Sequence, residues 1–130
     1  MMYRVMLADD EPIVRKALTT LTNWQELQCE VVYVAANGQE LVDHLESEKP
    51  DIVVTDIRMP VKDGIEVAKY IMEKELPIKV IILTAYADFS YAQSAVKYNV
   101  VDYVTKTGAF DGLIAAVEKA KQALKERSEM

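Results

Sequence analysis

The sequence lacks most of the features that mark secreted and membrane proteins. It has one cysteine, Cys29, so an internal disulfide is excluded. Cys29 stands at the edge of an apolar run, which favours a buried structural thiol. No apolar stretch approaches the roughly 20 residues of a membrane span, and the N-terminus lacks the long apolar core of a signal peptide. We therefore expect a cytoplasmic protein.

Basic residues are also scarce. The 130 residues include 15 Lys and Arg against 21 Asp and Glu, which gives a net charge of −6. Independent nucleic-acid binders are usually basic, and no helix-turn-helix pattern is present, so we expect no direct nucleic-acid binding. The length fits one domain, to which we assign residues 1–125, with the polar residues 126–130 as the start of a linker.

Five short runs rich in Val, Ile and Tyr alternate with helical patterns. Most runs are continuously apolar, as expected for strands buried on both faces of a sheet. The predicted strands cover residues 3–8, 30–36, 51–56, 79–85 and 100–105. Five strand–helix units predict an α/β fold with a doubly wound, five-stranded parallel sheet.

Each helical pattern predicts one apolar face, because apolar residues recur three and four positions apart. The faces consist of Ile13, Val14, Ala17, Leu18 and Leu21; of Leu41, Val42 and Leu45; of Ala68, Ile71, Met72 and Glu75; of Ala92, Ala95 and Val96; and of Leu113, Ile114, Val117 and Leu124. Helix ends are predicted by a capping box at Asn37 and Glu40, a cap at Asp88 and a left-handed stop at Asn99.

The predicted strands end in polar side chains. Asp9 and Asp10 follow the first, Asp56 ends the third, Thr84 ends the fourth and Lys106 follows the fifth. Sites in open parallel sheets form at the carboxyl ends of the strands, so the three carboxylates should meet at one edge. Two carboxylates about 4 Å apart repel by roughly 4 kcal/mol at an effective dielectric constant near 20. Such a cluster needs a cation or raised pKa values.

These groups suit one kind of chemistry. Hard oxygen ligands beside open positions favour Mg²⁺, which also binds phosphate oxygens. Lys106 would add a second positive charge and Thr84 a hydroxyl donor. The combination suits an aspartyl nucleophile that accepts a phosphoryl group. A flavin or dinucleotide pocket is disfavoured because acids, not glycines, follow the first strand. A phosphatase that uses an Asp-x-Asp pattern, with a second acid two residues after Asp56, is excluded, because position 58 is an arginine.

Four segments in order carry a resemblance to a known family: LADDE, DIVVTDIRMPVKDG, VIILTAYAD and VVDYVTK. Over residues 3 to 125 the chain resembles the receiver domain of bacterial two-component response regulators. The resemblance implies a flavodoxin-like three-layer sandwich with strand order 2-1-3-4-5. The stretch TAYADFSYAQSAVKYNVVDYV is most similar to receivers of transcription regulators with a helix-turn-helix output domain of the arabinose-regulator type. That output domain would lie beyond residue 130.

The resemblance also implies a role for each acid. Asp56 takes the phosphoryl group from a sensor histidine kinase. Mg²⁺ is held by Asp10, Asp56 and the main-chain carbonyl of Arg58, while Asp9 orients a metal-bound water. The domain is then a signalling module and not an enzyme, although it assists its own phosphorylation and dephosphorylation.

The remaining implied roles concern switching. Thr84 and Lys106 bond the phosphoryl oxygens, and an inward move of Thr84 opens room for Tyr103, the switch aromatic. The face formed by the fourth predicted helix, the fifth strand and the fifth predicted helix then repacks, and the resemblance implies a homodimer through it. DNA binding is left to the output domain, and no membrane contact is implied.

One position departs from the family. A proline usually follows the lysine, typically through a cis bond, whereas Thr107 stands here. A cis bond costs about 2.5–4 kcal/mol before threonine and about 0.5–1 before proline, so we predict a trans bond with Gly108 absorbing the change of chain direction. The missing proline keeps one alternative open, a receiver-like interaction module that acts without phosphorylation.

Three aromatic or imidazole side chains have structural interpretations. Tyr103 could be a plain core aromatic and not a switch. His44, between Asp43 and Leu45, is expected on the surface and not as a phosphorelay histidine. Trp24, beyond the first helix, is expected in the core.

Overall fold

The computed structural model describes residues 2–85, 93–94, 97–106, 110 and 112–128. Among the helices in these ranges, none combines the length and the apolar content of a membrane span. The predicted fourth helix, with Ala92, Ala95 and Val96, and the predicted cap at Asp88 lie outside the described residues.

The sheet has five parallel strands in the order β2-β1-β3-β4-β5, as predicted. The strands are β1 (Tyr3–Ala8), β2 (Cys29–Ala35), β3 (Ile52–Asp56), β4 (Lys79–Thr84) and β5 (Asp102–Thr105). All five residues of β3 are buried, as a central strand covered on both faces requires. The predicted strand bounds differ from the observed ones by at most two residues.

Helices cover both faces of the sheet. The described helices are α1 (Pro12–Leu21), α2 (Gly38–Glu48), α3 (Gly64–Glu73) and a C-terminal helix (Leu113–Ser128). Leu18 of α1 and Val117 of the C-terminal helix belong to one core cluster, while Leu41 of α2 and Val67 of α3 belong to the other. The sheet therefore lies between two helical layers, which is the predicted three-layer sandwich.

The predicted helix ends are confirmed in part. The side chain of Asn37 accepts a hydrogen bond from the backbone of Glu40 at 2.8 Å, so the cap is present. The reciprocal bond of a capping box is replaced, because the Glu40 carboxylate accepts from the Tyr33 hydroxyl at 2.8 Å. A full capping box stands instead at the start of α3, between Asp63 and Glu66. Asn99 is left-handed, with φ 58°, as predicted.

Three predicted apolar faces are too wide. Ile13 and Leu21 of α1 are 76% and 67% exposed, Met72 of α3 is 37% exposed, and Ile114 of the C-terminal helix is 61% exposed. The predicted face residue Glu75 lies beyond α3, which ends at Glu73. The buried positions of the C-terminal helix are instead Leu113, Ala116, Val117 and Ala120. A helix touches the sheet along a narrow stripe, so apolar residues at the edge of its face remain in water.

The structural interpretations of Cys29 and Trp24 are confirmed. Both are buried, and the Trp24 indole donates to the carbonyl of Leu18 at 2.9 Å. Burial raises the pKa of the Cys29 thiol, which keeps it protonated. His44 is not simply a surface residue, because it is half-buried and its ring stacks on Tyr33 with centroids 3.9 Å apart.

Candidate functional site

The predicted site residues lie at the carboxyl edge of the sheet. Asp9 directly follows β1, Asp56 and Thr84 are the last residues of β3 and β4, and Lys106 follows β5. The ladder continues past the strand ends, since the backbone of Lys106 donates to the carbonyl of Thr84 at 2.7 Å. Parallel strands in register therefore bring the ends of four strands to one place.

Lys106 joins the acids of this edge. Its Nζ lies 2.6 Å from Oδ2 of Asp9 and 3.3 Å from Oδ2 of Asp56, with Oε1 of Glu11 at 3.9 Å. The side chains of Asp9, Asp56 and Lys106 are 0%, 8% and 11% exposed, whereas Glu11 is 60% exposed. One ammonium group thus bridges two buried carboxylates, and the low exposure strengthens both attractions.

Asp56 is held with one carboxylate oxygen fixed and the other facing Lys106. Oδ1 accepts a hydrogen bond from the backbone of Ile57 at 2.8 Å. The pKa of Asp56 is raised from 3.8 to about 6, because burial penalises the charged form and the charge of Asp9 adds to this. Lys106 acts in the opposite direction on the pKa of Asp56. The carboxylate is therefore ionised at neutral pH but lies in an unfavourable environment.

Lys106 remains positively charged despite its burial. Burial by itself would lower the pKa of Lys106, but the neighbouring carboxylates of Asp9 and Asp56 raise it by more than burial lowers it. The net result is a pKa above the usual lysine value. A fixed positive charge is available wherever negative charge develops on a group bound to Asp56.

Gly64 lies at the site, although no role was predicted for it. It is the first residue of α3, and its backbone donates to the carbonyl of Ile57 at 2.8 Å. A Cβ atom at this position would overlap the main-chain carbonyl oxygen of Asp56. Glycine is needed here for the close approach of two backbones, so it helps to fix where Asp56 sits.

We expect Gly64→Ala to lower the free energy of unfolding by about 2 kcal/mol, because α3 must move away from Asp56. Chemical denaturation measures this directly. At an unhindered helix position, the same substitution would stabilise the fold by about 0.5–1 kcal/mol. A stabilised Gly64→Ala protein would therefore show that the close approach is not required.

The acids after β1 have the composition of a divalent-cation site. One carboxylate oxygen from each of Asp9, Asp10 and Glu11 lies within 4.8 Å of the others. Oδ2 of Asp9 is fully buried and, among the described residues, has no hydrogen bond of ordinary geometry, so its contact is the Lys106 ammonium. An under-satisfied carboxylate oxygen beside exposed acids fits a hard cation such as Mg²⁺. Glu11 belongs to this group, although it was not predicted as a metal ligand.

The other predicted site residues are placed as follows. Thr84 is 1% exposed at the end of β4, and Tyr103 in β5 is half-buried against the core cluster that includes α2 and α3. The side chain of Arg58 is exposed. The predicted trans bond between Lys106 and Thr107, and the compensating role of Gly108, lie outside the described residues.

Comparisons with known proteins agree with this architecture. The sequence model of the response regulator receiver domain matches residues 5–118. An uncharacterized transcriptional regulatory protein of Bacillus subtilis, YesN, is 32% identical over 124 residues, which is 95% of this chain and 34% of YesN. The chain thus spans about a third of that relative, and about two fifths of other curated relatives.

Two solved structures are similar over nearly their whole length. The receiver domain of AraT, a response regulator from Geobacillus stearothermophilus, superimposes with a TM-score of 0.87 at 36% identity, covering 98% of this chain and 99% of that one. A LuxR-family DNA-binding response regulator from Staphylococcus aureus gives a TM-score of 0.84 at 30% identity, covering 92% of this chain and 98% of that one.

The chain belongs to the response regulator receiver domain family. It is a signalling domain of the two-component type, and phosphorylation-based switching is the standard function of this family. The relatives include transcriptional regulators. Receiver domains generally pair with sensor histidine kinases.

Proposed function

We propose that Asp56 accepts the phosphoryl group. The observation that supports this most strongly is the Lys106 ammonium, which lies 3.3 Å from Oδ2 of Asp56 at the carboxyl edge of the sheet. An oxygen of Asp56 attacks phosphorus, the bond from phosphorus to the donor nitrogen or oxygen breaks, and the donor leaves with the electron pair. The bound phosphoryl group adds negative charge next to Lys106, which is positioned to stabilise it.

The roles of the neighbouring residues follow from their positions. Asp10, Asp56 and the main-chain carbonyl of Arg58 would hold Mg²⁺, with Asp9 orienting a metal-bound water, and the ion would neutralise charge on the transferring oxygens. Thr84, buried at the end of β4, bonds a phosphoryl oxygen. Tyr103 lies on the adjacent strand β5, where it pairs with Ile82, two residues before Thr84, and it follows Thr84 inward on switching. These roles rest on the family pattern and on the placement of the residues.

The proposal is tested by incubating the protein with Mg²⁺ and a small acyl phosphate, followed by intact-mass measurement. We expect the wild type to gain the mass of one phosphoryl group and Asp56→Asn to gain none. Asp43→Asn, which removes an exposed acid on α2, is the matched control and should gain the mass normally. Equal mass gain in wild type and Asp56→Asn would place the acceptor elsewhere.

Mg²⁺ should stabilise the protein even without a phosphodonor. The ion relieves repulsion among the acids after β1 and binds the folded state alone, so the melting temperature should rise with Mg²⁺ concentration. We expect Asp10→Asn to raise the melting temperature without Mg²⁺ and to abolish most of the Mg²⁺-dependent rise. A Mg²⁺ shift that survives Asp10→Asn and Asp56→Asn together would show that the ion binds at another place.

The phosphodonor partner is a sensor histidine kinase in the cytoplasm. Exposed apolar side chains stand around the carboxyl edge: Ile13 in the first turn of α1, Val61 in the loop after β3 and Ile114 at the start of the C-terminal helix. Apolar groups beside a reactive centre suit a docking partner that excludes water from it.

The alternative function, an interaction module that acts without phosphorylation, predicts no mass gain from any phosphodonor.

The output that this domain controls is transcriptional. Residues 1–125 form the receiver domain, and 126–130 begin the linker to a helix-turn-helix domain of the arabinose-regulator type, as the stretch 84–104 suggests. The LuxR family is the competing output class, because a receiver of that family is similar to this chain.

Phosphorylation favours a homodimer through the face that includes β5 and the C-terminal helix. Sedimentation of the phosphorylated chain as a monomer at high concentration would contradict this.

A further inference from the structure

One basic side chain holds the acidic loop between β1 and α1 from the helix side. Arg15, in the second turn of α1, donates from Nη1 to the main-chain carbonyl oxygen of Asp9 at 2.8 Å. Arg15 is half-buried, and the ion pairs found within the described ranges do not include it. Its charge is therefore directed at a backbone oxygen, although the acids of the loop lie close by.

The bonded carbonyl belongs to the most enclosed acid of the site. Asp9 is fully buried, so its carbonyl oxygen would be an unsatisfied buried acceptor without a donor. The backbone of Asp9 donates to Ala35 of β2 at 3.2 Å, and Oδ1 of Asp9 accepts from the backbone of Glu11 at 2.9 Å. With Lys106 at Oδ2, every polar atom of Asp9 has a contact from a different direction.

The start of α1 needs such support. Its N-cap residue, Glu11, makes no side-chain cap bond, and Pro12 at the first helical position has no backbone donor. The loop is therefore not fixed by a helix cap of the usual kind. The bond from Arg15 spans residues 9–15 and ties the loop to the second turn of the helix.

We propose that Arg15 is a positioning residue for divalent-cation binding. Its bond fixes the backbone of Asp9. The position of this backbone in turn sets the orientation of the Asp9 and Asp10 carboxylates toward the cation. The inference rests on the proposed metal site, but it concerns a residue that touches neither the ion nor the phosphoryl group. Groups that orient metal ligands from behind commonly change metal affinity by about 10–100-fold when removed.

The direction of the effect separates positioning from simple charge. Arg15 carries a positive charge near the acids, so its removal alone would strengthen cation binding through reduced repulsion. Loss of positioning would weaken cation binding. The two explanations therefore predict opposite signs for Arg15→Gln.

Isothermal titration calorimetry with Mg²⁺ on the whole chain provides the test. We expect Arg15→Gln to raise the dissociation constant for Mg²⁺ about tenfold and Arg15→Lys, which retains a donor and the charge, to raise it less. Lys16→Gln removes the same charge from the next residue of α1, which is exposed, and should leave the affinity unchanged or slightly tighter. The phosphorylation rate of Arg15→Gln should fall about tenfold at low Mg²⁺ and recover at saturating Mg²⁺.

Three outcomes decide the matter. Weaker Mg²⁺ binding by Arg15→Gln, with recovery of the rate at saturating Mg²⁺, supports the positioning role. Equal or tighter binding by Arg15→Gln, as for Lys16→Gln, overturns it while leaving the metal site intact. If the wild type itself shows no Mg²⁺ binding, the proposed metal site fails and the inference fails with it. Should Arg15→Gln not fold, Arg15→Lys tests positioning alone, because it keeps the charge: a raised dissociation constant for Mg²⁺ supports the positioning role, and an unchanged one overturns it.

Discussion

Asp56→Asn is expected to stabilise the protein at pH 7.5 in the absence of divalent cations. The pKa of Asp56 is raised from 3.8 to about 6, so the folded state disfavours the ionised carboxylate that neutral pH imposes. A shift of this size corresponds to about 3 kcal/mol at full ionisation. The amide has the same shape but no charge, so the variant should recover a large part of this free energy in urea denaturation.

The pH dependence gives the sign of the effect. A group with a raised pKa in the folded state contributes its stability below its unfolded pKa of 3.8 and loses it as the pH rises through about 6. The difference between wild type and Asp56→Asn should therefore be small near pH 4 and reach its full value near pH 7.

Asp43→Asn, an exposed acid on α2, is the matched control and should change the free energy of unfolding by less than about 0.5 kcal/mol at any of these pH values. An Asp56→Asn protein no more stable than wild type at pH 7.5 would show that the carboxylate is not strained.

Lys106→Met should have the opposite effect and a comparable size. Its removal leaves the carboxylates of Asp9 and Asp56, 0% and 8% exposed, without their shared counter-charge. Breaking a buried ion pair by removing one partner costs about 3–5 kcal/mol, and the remaining exposure of Lys106 and Asp56, 11% and 8%, favours the lower value. The loss should be largest at neutral pH without Mg²⁺ and should shrink when Asp56 becomes protonated.

A double-mutant cycle shows whether the two residues are coupled. When residue 56 is already asparagine, Lys106→Met removes the counter-charge of Asp9 alone. It should therefore lower the free energy of unfolding by at least about 1 kcal/mol less than it does in the wild type. Lys69→Met, an exposed position on α3, controls for the loss of a surface lysine. Equal costs of Lys106→Met in both backgrounds would mean that Lys106 does not stabilise Asp56.

Much of the fold and site could be predicted because the decisive signals are local. Continuous β-branched runs locate the strands, and polar residues directly after such runs must lie at the carboxyl edge of a parallel sheet. Asp9, Asp56 and Lys106 therefore came together as expected. That Lys106 itself bridges Asp9 and Asp56 was not predicted, because the sequence does not show which cation offsets the repulsion between two buried acids.

Other features depend on contacts that no sequence window contains. Ile13 recurs at the helical period that defines the apolar face of α1. The period gives the direction of that face, but it does not show how much of the face the sheet covers. Glu40 has the spacing of a capping box, yet the Tyr33 hydroxyl of the neighbouring strand takes its carboxylate. The need for glycine at position 64 arises only because the Asp56 carbonyl lies against it.

The most direct test of the central claim is chemical mapping of the acceptor. The protein is phosphorylated with a small acyl phosphate and Mg²⁺, treated with borohydride, which reduces an aspartyl phosphate to homoserine, and digested for peptide sequencing by mass spectrometry. We predict homoserine at position 56 and unmodified aspartate at positions 9 and 10. Homoserine at position 9 or 10, or a stable phosphoryl group that borohydride leaves unchanged, would contradict the assignment of Asp56 as the phosphoryl acceptor.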